Sequence, residues 1–501
     1  MKPVVLSDWL LERLDKNADE PMYRQLHRLM LKAVLDGQIS AGSRLPSSRL
    51  LSREINVARN TVTEVYEYLK AEGCVQSKHG SGTYVMDLSV DRLIGKRSIS
   101  LQKPHSNSVV PHVTPHLSRR GHILIEGAGF SSRQWGSFMP GVPDVTEFPA
   151  RIWIKLHNKN WRRMSAERLS YAPAGGLHEL RLALADYLGT ARAVRCTPEQ
   201  IVITTGSHQS VDLAARLLTD QGDPVWIEDP CYWGLRSTLT SLGLSIHAVP
   251  VDSNGINWNK HSKLPAPRLV IATPSHQYPL GMVMSLSRRQ ALLEYSRRHN
   301  SWIIEDDYDS EFRYGTRPIA SLQGLDSSER VIYVGSFSKT LFPGLRIGYM
   351  VVPPSLAETF AKSSAELYRE GQLQQQATLA DFITQGHLTS HIRRMRILYG
   401  QRRQCLLEEV HQHFGNVIDV LGDNAGLHLV LRLPAAIDDS ALAKDALNVG
   451  IVVRPLSRYY SILGDVQKGL LLGYACVKEE DIPTSFAILA KVLKKYGVKA
   501  A

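Results

Sequence analysis

At 501 residues the chain is too long for one ordinary domain and long enough for more than one hydrophobic core. Hydrophobic residues make up 43% and charged residues 21%, a soluble globular balance, and no run of about 18 apolar residues is present, so no membrane span is expected. The formal net charge of +11 favours polyanionic partners in general, but a basic enzyme would carry the same excess, so charge excludes neither class.

The first residues, MKPVVLSDWLLERLDK, set acidic residues close behind a short apolar stretch and lack the uninterrupted apolar region of a signal peptide. The cysteines, at 74, 196, 231, 405 and 476, form no CxxC pair and no metal-ligand spacing. No metal site is expected, and a reducing cytoplasm is the simplest location.

Residues 20–86 form the first module. Leu26, Leu29, Met30, Ala33 and Val34 share one helical face, and Gly37 is a plausible stop. Ser47 caps a helix through Leu50, Leu51 and Ile55, and a turn at Asn56–Val57 leads to a helix from about Ala58 to Glu72. Val62, Val65, Tyr66 and Leu69 are the buried stripe of that helix. In such a helix-turn-helix the second helix enters the major groove through its N-terminal residues, here Arg59, Asn60, Thr61 and Thr63. Arginine reads guanine edges and asparagine reads adenine, while hydroxyls take phosphate or base contacts. CVQSKHGSGTYV then reads as two strands around a His79–Gly80–Ser81–Gly82 tip, the wing of a winged helix. A three-helix module with ordinary surface arginines would share parts of this pattern; helix, turn, helix and wing in that order favour a DNA binder. The stretch also resembles the winged helix of the GntR regulators, through Leu45–Pro46–Ser47–Ser48–Arg49–Leu50–Leu51 and the ARNTV start of the recognition helix. That resemblance implies DNA contacts by Arg49, Arg59, Asn60, Thr61, His79 and Gly80.

Residues 87–130, with scattered Pro, Ser and His, read as a linker. From 131 to 496, apolar β-like runs (IVITTG, PVWIEDP, RLVIATP, WIIEDDY, VIYVGSFS) alternate with helical stretches, which predicts an α/β domain with a mainly parallel sheet. Four motifs carry its chemistry. Thr204–Thr205–Gly206–Ser207–His208–Gln209 joins a strand to a helix and suits a phosphate, though such junctions are common. Glu228–Asp229–Pro230–Cys231–Tyr232 can set an aromatic ring over a flat ligand, or simply bury a tyrosine. Glu305–Asp306–Asp307–Tyr308 ends a strand with acids that could be turn formers, or could pair with a pyridine nitrogen. Ser336–Phe337–Ser338–Lys339–Thr340, followed by FPGLRIGY with Arg346, offers a lysine amine beside hydroxyl and cationic groups. Pyridoxal 5′-phosphate (PLP) needs that combination for its Schiff base and its phosphate.

Together and in this order the motifs resemble the fold-type I PLP enzymes of the aminotransferase class, over about residues 135–495. The resemblance implies Lys339 as the Schiff-base lysine, Asp306 at the ring nitrogen, Tyr308 at the 3′-oxygen and Tyr232 stacked on the ring. It gives Ser207, His208, Ser336, Ser338 and Arg346 to the phosphate. It also implies a small α+β C-terminal subdomain and a homodimer. The two modules in tandem resemble the MocR subfamily of GntR regulators, as do PGVPDVTEFPARIW (140–153), SYAPAGGLHELR (170–181), TPSHQYPLG (273–281), EDDYDSEFRY (305–314) and GHLTSHIRRMRILY (386–399).

Two departures from working aminotransferases stand out. Tyr278 precedes Pro279 where those enzymes have an Asn-Pro-x-Gly loop, so His276 or Gln277 must take the contact to the 3′-oxygen, or it is missing. Leu471 lies where they hold the substrate carboxylate with an arginine; Arg454 and Arg458 are nearby alternatives, and Arg458 matches the effector-carboxylate position of GABA-sensing relatives. The implied function is a transcriptional regulator that binds double-stranded promoter DNA and senses an amino compound, an amino acid or PLP itself. A PLP-dependent aminotransferase with an accessory DNA-binding module, weakly active or limited to a half-reaction, is the alternative; a scaffold with a decayed site is opposed by the complete lysine, aspartate, tyrosine and arginine set.

Overall fold

The computed structural model describes residues 3–15, 18, 20–78, 82–86, 117–126, 135–260, 264–314, 320–369, 371–461 and 466–499. The chain divides into two compact units, Met1–His112 and Val113–Ala501.

The first unit begins earlier than the residue-20 boundary expected from sequence. Helix α1 (Pro3–Leu11) sends Leu6 and Leu10 into the core formed by Leu26, Met30, Leu51, Val62 and Val65. The buried Gln25 fastens the segment that follows: its Nε2 donates to the carbonyls of Asp15 (3.0 Å) and Glu20 (2.8 Å), and its Oε1 accepts from the Asp15 amide at 3.0 Å. Helix α2 (Met22–Leu35) buries Leu26, Met30, Ala33 and Val34, with Leu29 only partly covered. Ser47 caps α3 (Ser48–Glu54), its hydroxyl accepting from the Leu50 amide at 3.2 Å. Leu51 and Ile55 turn inward, and Leu50 outward. Helix α4 (Arg59–Ala71) buries Val62, Val65, Tyr66 and Leu69, and the Tyr66 hydroxyl donates to the Pro46 carbonyl at 2.8 Å, tying α4 to the segment before α3. Strands β1 (Val75–Lys78) and β2 (Gly82–Val85) pair antiparallel, as a wing requires. His79 and Gly80 lie outside the described residues.

In the second unit, part of the stretch expected to be linker is helical: α5 (Arg119–Glu126) packs against the helix Trp233–Ser241. Helices α6 (Ala150–Arg162) and α7 (His178–Arg192) precede an alternating series: β3 (Ile201–Thr204), α8 (Ser207–Leu218), β4 (Pro224–Asp229), α9 (Trp233–Ser241), β5 (Ser245–Asp252), β6 (Gly255–Ile256) and β7 (Leu269–Ala272). Then come α10 (Leu286–His299), β8 (Trp302–Asp307), α11 (Leu322–Leu325), β9 (Val331–Ser336) and β10 (Gly348–Val351). They form one sheet in the order β3-β10-β9-β8-β7-β4-β5-β6. Its run from β9 to β5 is parallel, β10 is antiparallel to both neighbours, and β6 is an antiparallel edge. The short strands β3, β7 and β10 are buried at every residue, as strands covered on both faces must be.

Helices α12 (Ala357–Tyr368), α13 (Leu373–Thr384) and α14 (His387–Phe414) lead to a smaller sheet. It comprises β11 (Val420–Leu421), β12 (His428–Leu433), β13 (Arg454–Pro455) and β14 (Lys468–Gly473), antiparallel in the order β11-β12-β14-β13. Helices α15 (Asp439–Asn448) and α16 (Ile482–Lys495) cover it, with Leu429, Leu431, Leu470, Leu472, Phe486 and Leu489 in one core. This is the expected small α+β subdomain.

Because β10 runs against both β3 and β9, strands β3, β4, β7, β8 and β9 all end at one edge of the large sheet. Ligands of open α/β sheets bind outside such C-terminal ends. Register sharpens the convergence: Gly348 of β10 pairs with both Thr204 and Ser336, aligning the β3–α8 junction with the lysine loop after β9. A Cβ at Gly348 would sit 2.6 Å from the Gly206 Cα, so glycine is required there for the backbones to approach.

Candidate cofactor site and nucleic-acid face

Lys339 follows β9 and is only partly accessible. Its Nζ donates to the Gly141 carbonyl at 2.6 Å. Burial lowers its pKa, opposed by the charges of Asp309 and Asp306. Asp306, at the end of β8, also keeps partial accessibility. Loss of hydration pushes its carboxyl up to about 7, against the pull of the Ser207 hydroxyl, which donates to Oδ1 at 3.3 Å. Ser207 opens α8 behind Gly206, whose φ of 132° is glycine territory. In this structure, then, the Ser207 hydroxyl is bonded to Asp306.

Tyr308 is partly accessible, and its hydroxyl lies 3.0 Å from His276 Nδ1, with the two rings stacked at 5.9 Å. His276 Nδ1 also lies 3.0 and 3.1 Å from the two carboxylate oxygens of the buried Asp309. Of the alternatives left by the missing asparagine, Gln277 is already committed. Its Nε2 donates to the carbonyls of Pro230 (2.7 Å) and Tyr278 (2.8 Å), and its Oε1 accepts from the Leu280 amide at 3.1 Å. His276 is the member that reaches Tyr308. Behind Gln277, the buried Glu228 accepts from the Thr273 amide (3.2 Å) and hydroxyl (2.5 Å), and burial pushes its carboxyl up to about 7.

Tyr232 stands just before α9 and is 36% exposed. His208 Nε2 is 3.2 Å from its hydroxyl, and the rings meet edge-on at 5.3 Å. Burial, then the nearby Arg346, lower the His208 pKa. His208 and Arg346 share a cavity of about 730 Å³ with Thr205, Trp233 and Leu124. Ser336 and Ser338 bond each other, hydroxyl to hydroxyl at 3.0 Å, and the Ser338 amide donates to the Ser336 hydroxyl at 3.1 Å.

Arg458 is exposed on a short turn, Leu456–Tyr459. The turn is well anchored. Buried Asp439 accepts from the Ser457 amide (2.9 Å) and hydroxyl (2.6 Å), and Arg236 donates to the Arg458 carbonyl at 2.9 Å. The Tyr459 hydroxyl meets that of Tyr278 at 3.2 Å, and its carbonyl accepts from the Cys231 amide at 3.1 Å. Leu471 is fully buried in an apolar cluster with Leu280, Val430, Leu456 and Tyr459. Arg454 pairs opposite Leu471 in the small sheet and is partly buried, its Nη2 lying 3.7 Å from Met139 Sδ.

Sequence reasoning assigned no role to Gly141, Asp309 or Glu228. Gly141 and Asp309 stand inside stretches noted only for their resemblance; Glu228 stands inside a motif read for its tyrosine. Among the described residues, no group of His, Cys, Asp and Glu is arranged to hold a metal, and no helix is long and apolar enough to cross a membrane.

In the first unit, Arg49 is exposed on α3, and Arg59 and Asn60 are exposed and Thr61 partly so at the open N-terminus of α4, where no side chain caps the helix. The Thr63 hydroxyl donates to the Arg59 carbonyl at 3.0 Å.

Comparison with known proteins agrees with both units. Residues 22–85 match the bacterial regulatory proteins of the gntR family, and residues 143–483 match aminotransferase class I and II. The chain is 38% identical over 463 residues to the probable rhizopine catabolism regulatory protein MocR of Rhizobium meliloti, covering 92% of each. It is 30% identical over 471 residues to the pyridoxine biosynthesis transcriptional regulator PdxR of Corynebacterium glutamicum, covering 91% of this chain and 93% of that one. Among solved structures, an archaeal alanine:glyoxylate aminotransferase superposes with a TM-score of 0.67 at 26% identity, over 76% of this chain and 96% of the enzyme. A gntR-type winged helix joined to an aminotransferase-class domain, alike along nearly the whole of regulators so built, makes this chain a member of the MocR group of GntR transcriptional regulators.

Proposed function

We propose that the aminotransferase-like domain holds PLP on Lys339, and that an amino compound or PLP itself, engaging there, controls the affinity of the winged helix for promoter DNA. The observation that carries this reading is the convergence of Lys339, Asp306 and Tyr308, all partly accessible, at one edge of the sheet. PLP supplies an electrophilic carbon that amines exchange on and a ring that withdraws electrons. The chain's own residues supply the rest. Lys339 offers an amine whose burial favours the unprotonated, nucleophilic form. The Asp306 carboxyl, held up by burial, would regain its charge opposite a cationic ring nitrogen. Tyr308, backed by His276, would face the 3′-oxygen, and Tyr232 the ring. Ser207, His208, Ser336, Ser338 and Arg346 would serve the phosphate, with the Ser207, Ser336 and Ser338 hydroxyls exchanging their present bonds for it. Arg458, on its anchored turn, would take the carboxylate of an effector.

The relatives' names support the regulatory half of this reading: PdxR is named for pyridoxine biosynthesis, MocR for rhizopine catabolism. Arg49, Arg59, Asn60, Thr61, His79 and Gly80 are the proposed DNA contacts, and a homodimer would present two copies of them to paired half-sites. The buried Leu471 weighs against the aminotransferase alternative. The test is spectroscopic. The purified protein should carry a PLP absorption band that Lys339→Ala abolishes, without repeated turnover of amino donors when a keto-acid acceptor is supplied. A colourless wild type would refute the cofactor, and sustained turnover would make the protein an enzyme.

A further inference from the structure

His276 Nδ1 has three oxygens within 3.1 Å: both carboxylate oxygens of Asp309 and the hydroxyl of Tyr308. A ring nitrogen carries at most one proton, and an ionised carboxylate only accepts. The opposite nitrogen, Nε2, is buried and has no hydrogen-bond partner among the described residues. A Cβ placed on Gly281 would lie 3.1 Å from it. The nearby His428, with its ring centre 5.6 Å away, directs its own Nε2 to the Pro279 carbonyl at 3.0 Å. An unpaired acceptor is tolerated inside a protein more readily than an unpaired N–H donor. The imidazole proton therefore belongs on Nδ1, because any form with a proton on Nε2 buries a donor that nothing accepts.

With Nδ1 donating, Tyr308 cannot donate to it. The phenol oxygen is instead a second acceptor for that N–H, and the phenol's own proton is left for another partner. Burial keeps that phenol protonated, its pKa raised well above the ordinary value.

We infer that Asp309 is a positioning residue: by fixing the Nδ1–H tautomer of His276, it turns the Tyr308 hydroxyl into a donor aimed at the 3′-oxygen of PLP. This rests on the reading of the Lys339, Asp306 and Tyr308 cluster as the PLP site, and it assigns work to a residue given no cofactor or effector contact in that reading. Its logic is that of a buried aspartate orienting a histidine, where changing the acid to its amide leaves the geometry and loses the tautomer.

Two measurements on the full-length protein test it. In the cofactor-free protein, ¹⁵N spectra of labelled histidine, with His276 assigned by its loss in His276→Gln, should show Nδ1 protonated in wild type and a smaller Nδ1-protonated fraction in Asp309→Asn, whose amide can donate to that nitrogen as well as accept from it. In the loaded protein, Asp309→Asn should raise the proportion of the protonated, long-wavelength PLP band at fixed neutral pH, because the 3′-oxygen has lost its donor. Tyr308→Phe should produce the same shift, and Asp309→Asn added to Tyr308→Phe should add nothing further. Circular dichroism and melting curves show whether each variant is folded; if Asp309→Asn does not fold, the wild-type tautomer and the Tyr308→Phe band decide. A wild-type His276 protonated on Nε2 overturns the inference. So does a band in Asp309→Asn indistinguishable from wild type. A correct tautomer with no PLP band in wild type would overturn the reading of the site itself, and with it the destination assigned to the Tyr308 proton.

Discussion

Asp306 illustrates how a site residue can act against the fold that holds it. Below about pH 4 its carboxyl is protonated whether the chain is folded or not. Between there and about 7 only the native state keeps the proton, and above that the native state must hold a charge that the unfolded chain solvates freely. Stability is therefore lost as pH rises through this window. Asp306→Asn should leave the cofactor-free protein more stable than wild type at pH 8, by on the order of 1–4 kcal/mol, with the advantage vanishing near pH 4. Denaturant melts at the two pH values check this, and the same variant should fail to retain PLP. Arg458 makes the complementary case. Arg458→Gln should leave the PLP band intact and weaken the response to a carboxylate-bearing effector about tenfold or more, as the loss of one charge-assisted bond of about 1.5–3 kcal/mol requires; titration by absorbance measures both. Lys339, Asp306 and Tyr308 were legible in the sequence because each stands in a short motif at a strand end. The partnership of Asp309 with His276 was not, since the two are 33 positions apart and meet only when β7 and β8 lie side by side. A still longer separation hid the Gly141 carbonyl from Lys339, 198 positions on.

At the scale of elements, periodicity located α2, α4 and the strand ends well, because each buries a stripe or a continuous apolar run. It passed over α1, whose sequence PVVLSDWLL is apolar nearly all round and gives no stripe to read. The helix nonetheless belongs to the first core: Leu10 is fully buried there. Leu10→Ala should cost the winged-helix unit about 2–5 kcal/mol, visible as a lowered melting temperature for that unit's transition. A melting curve unchanged by the substitution would mean that α1 is an ornament on the module rather than part of it. Helix α5 was missed for another reason. Its eight residues stand among prolines, serines and histidines that mark a linker, and it packs against α9, a contact that no local pattern announces. Because Tyr232 leads into α9 and Leu124 of α5 lines the cavity that His208 and Arg346 share, this helix adjoins the elements expected to feel the cofactor.

For the whole molecule, the architecture joins a gntR-type winged helix to a domain built like an aminotransferase, with a buried leucine at position 471. Such a combination regulates only if occupancy of the recess changes the affinity for DNA, and the size of the effect is bounded by the difference in affinity of the effector for the two states of the protein. Couplings of this kind are typically about 1–3 kcal/mol, a change of about 5- to 150-fold. The direct measurement is a binding titration on the DNA upstream of the protein's own gene, by wild type and Lys339→Ala, with and without PLP and a panel of amines, at one stated salt concentration. Wild type should bind specifically, PLP or an amine should shift its affinity within that range, and Lys339→Ala should bind DNA without responding. Wild-type binding indifferent to every addition, or a Lys339→Ala protein that responds as wild type does, would contradict the proposed coupling.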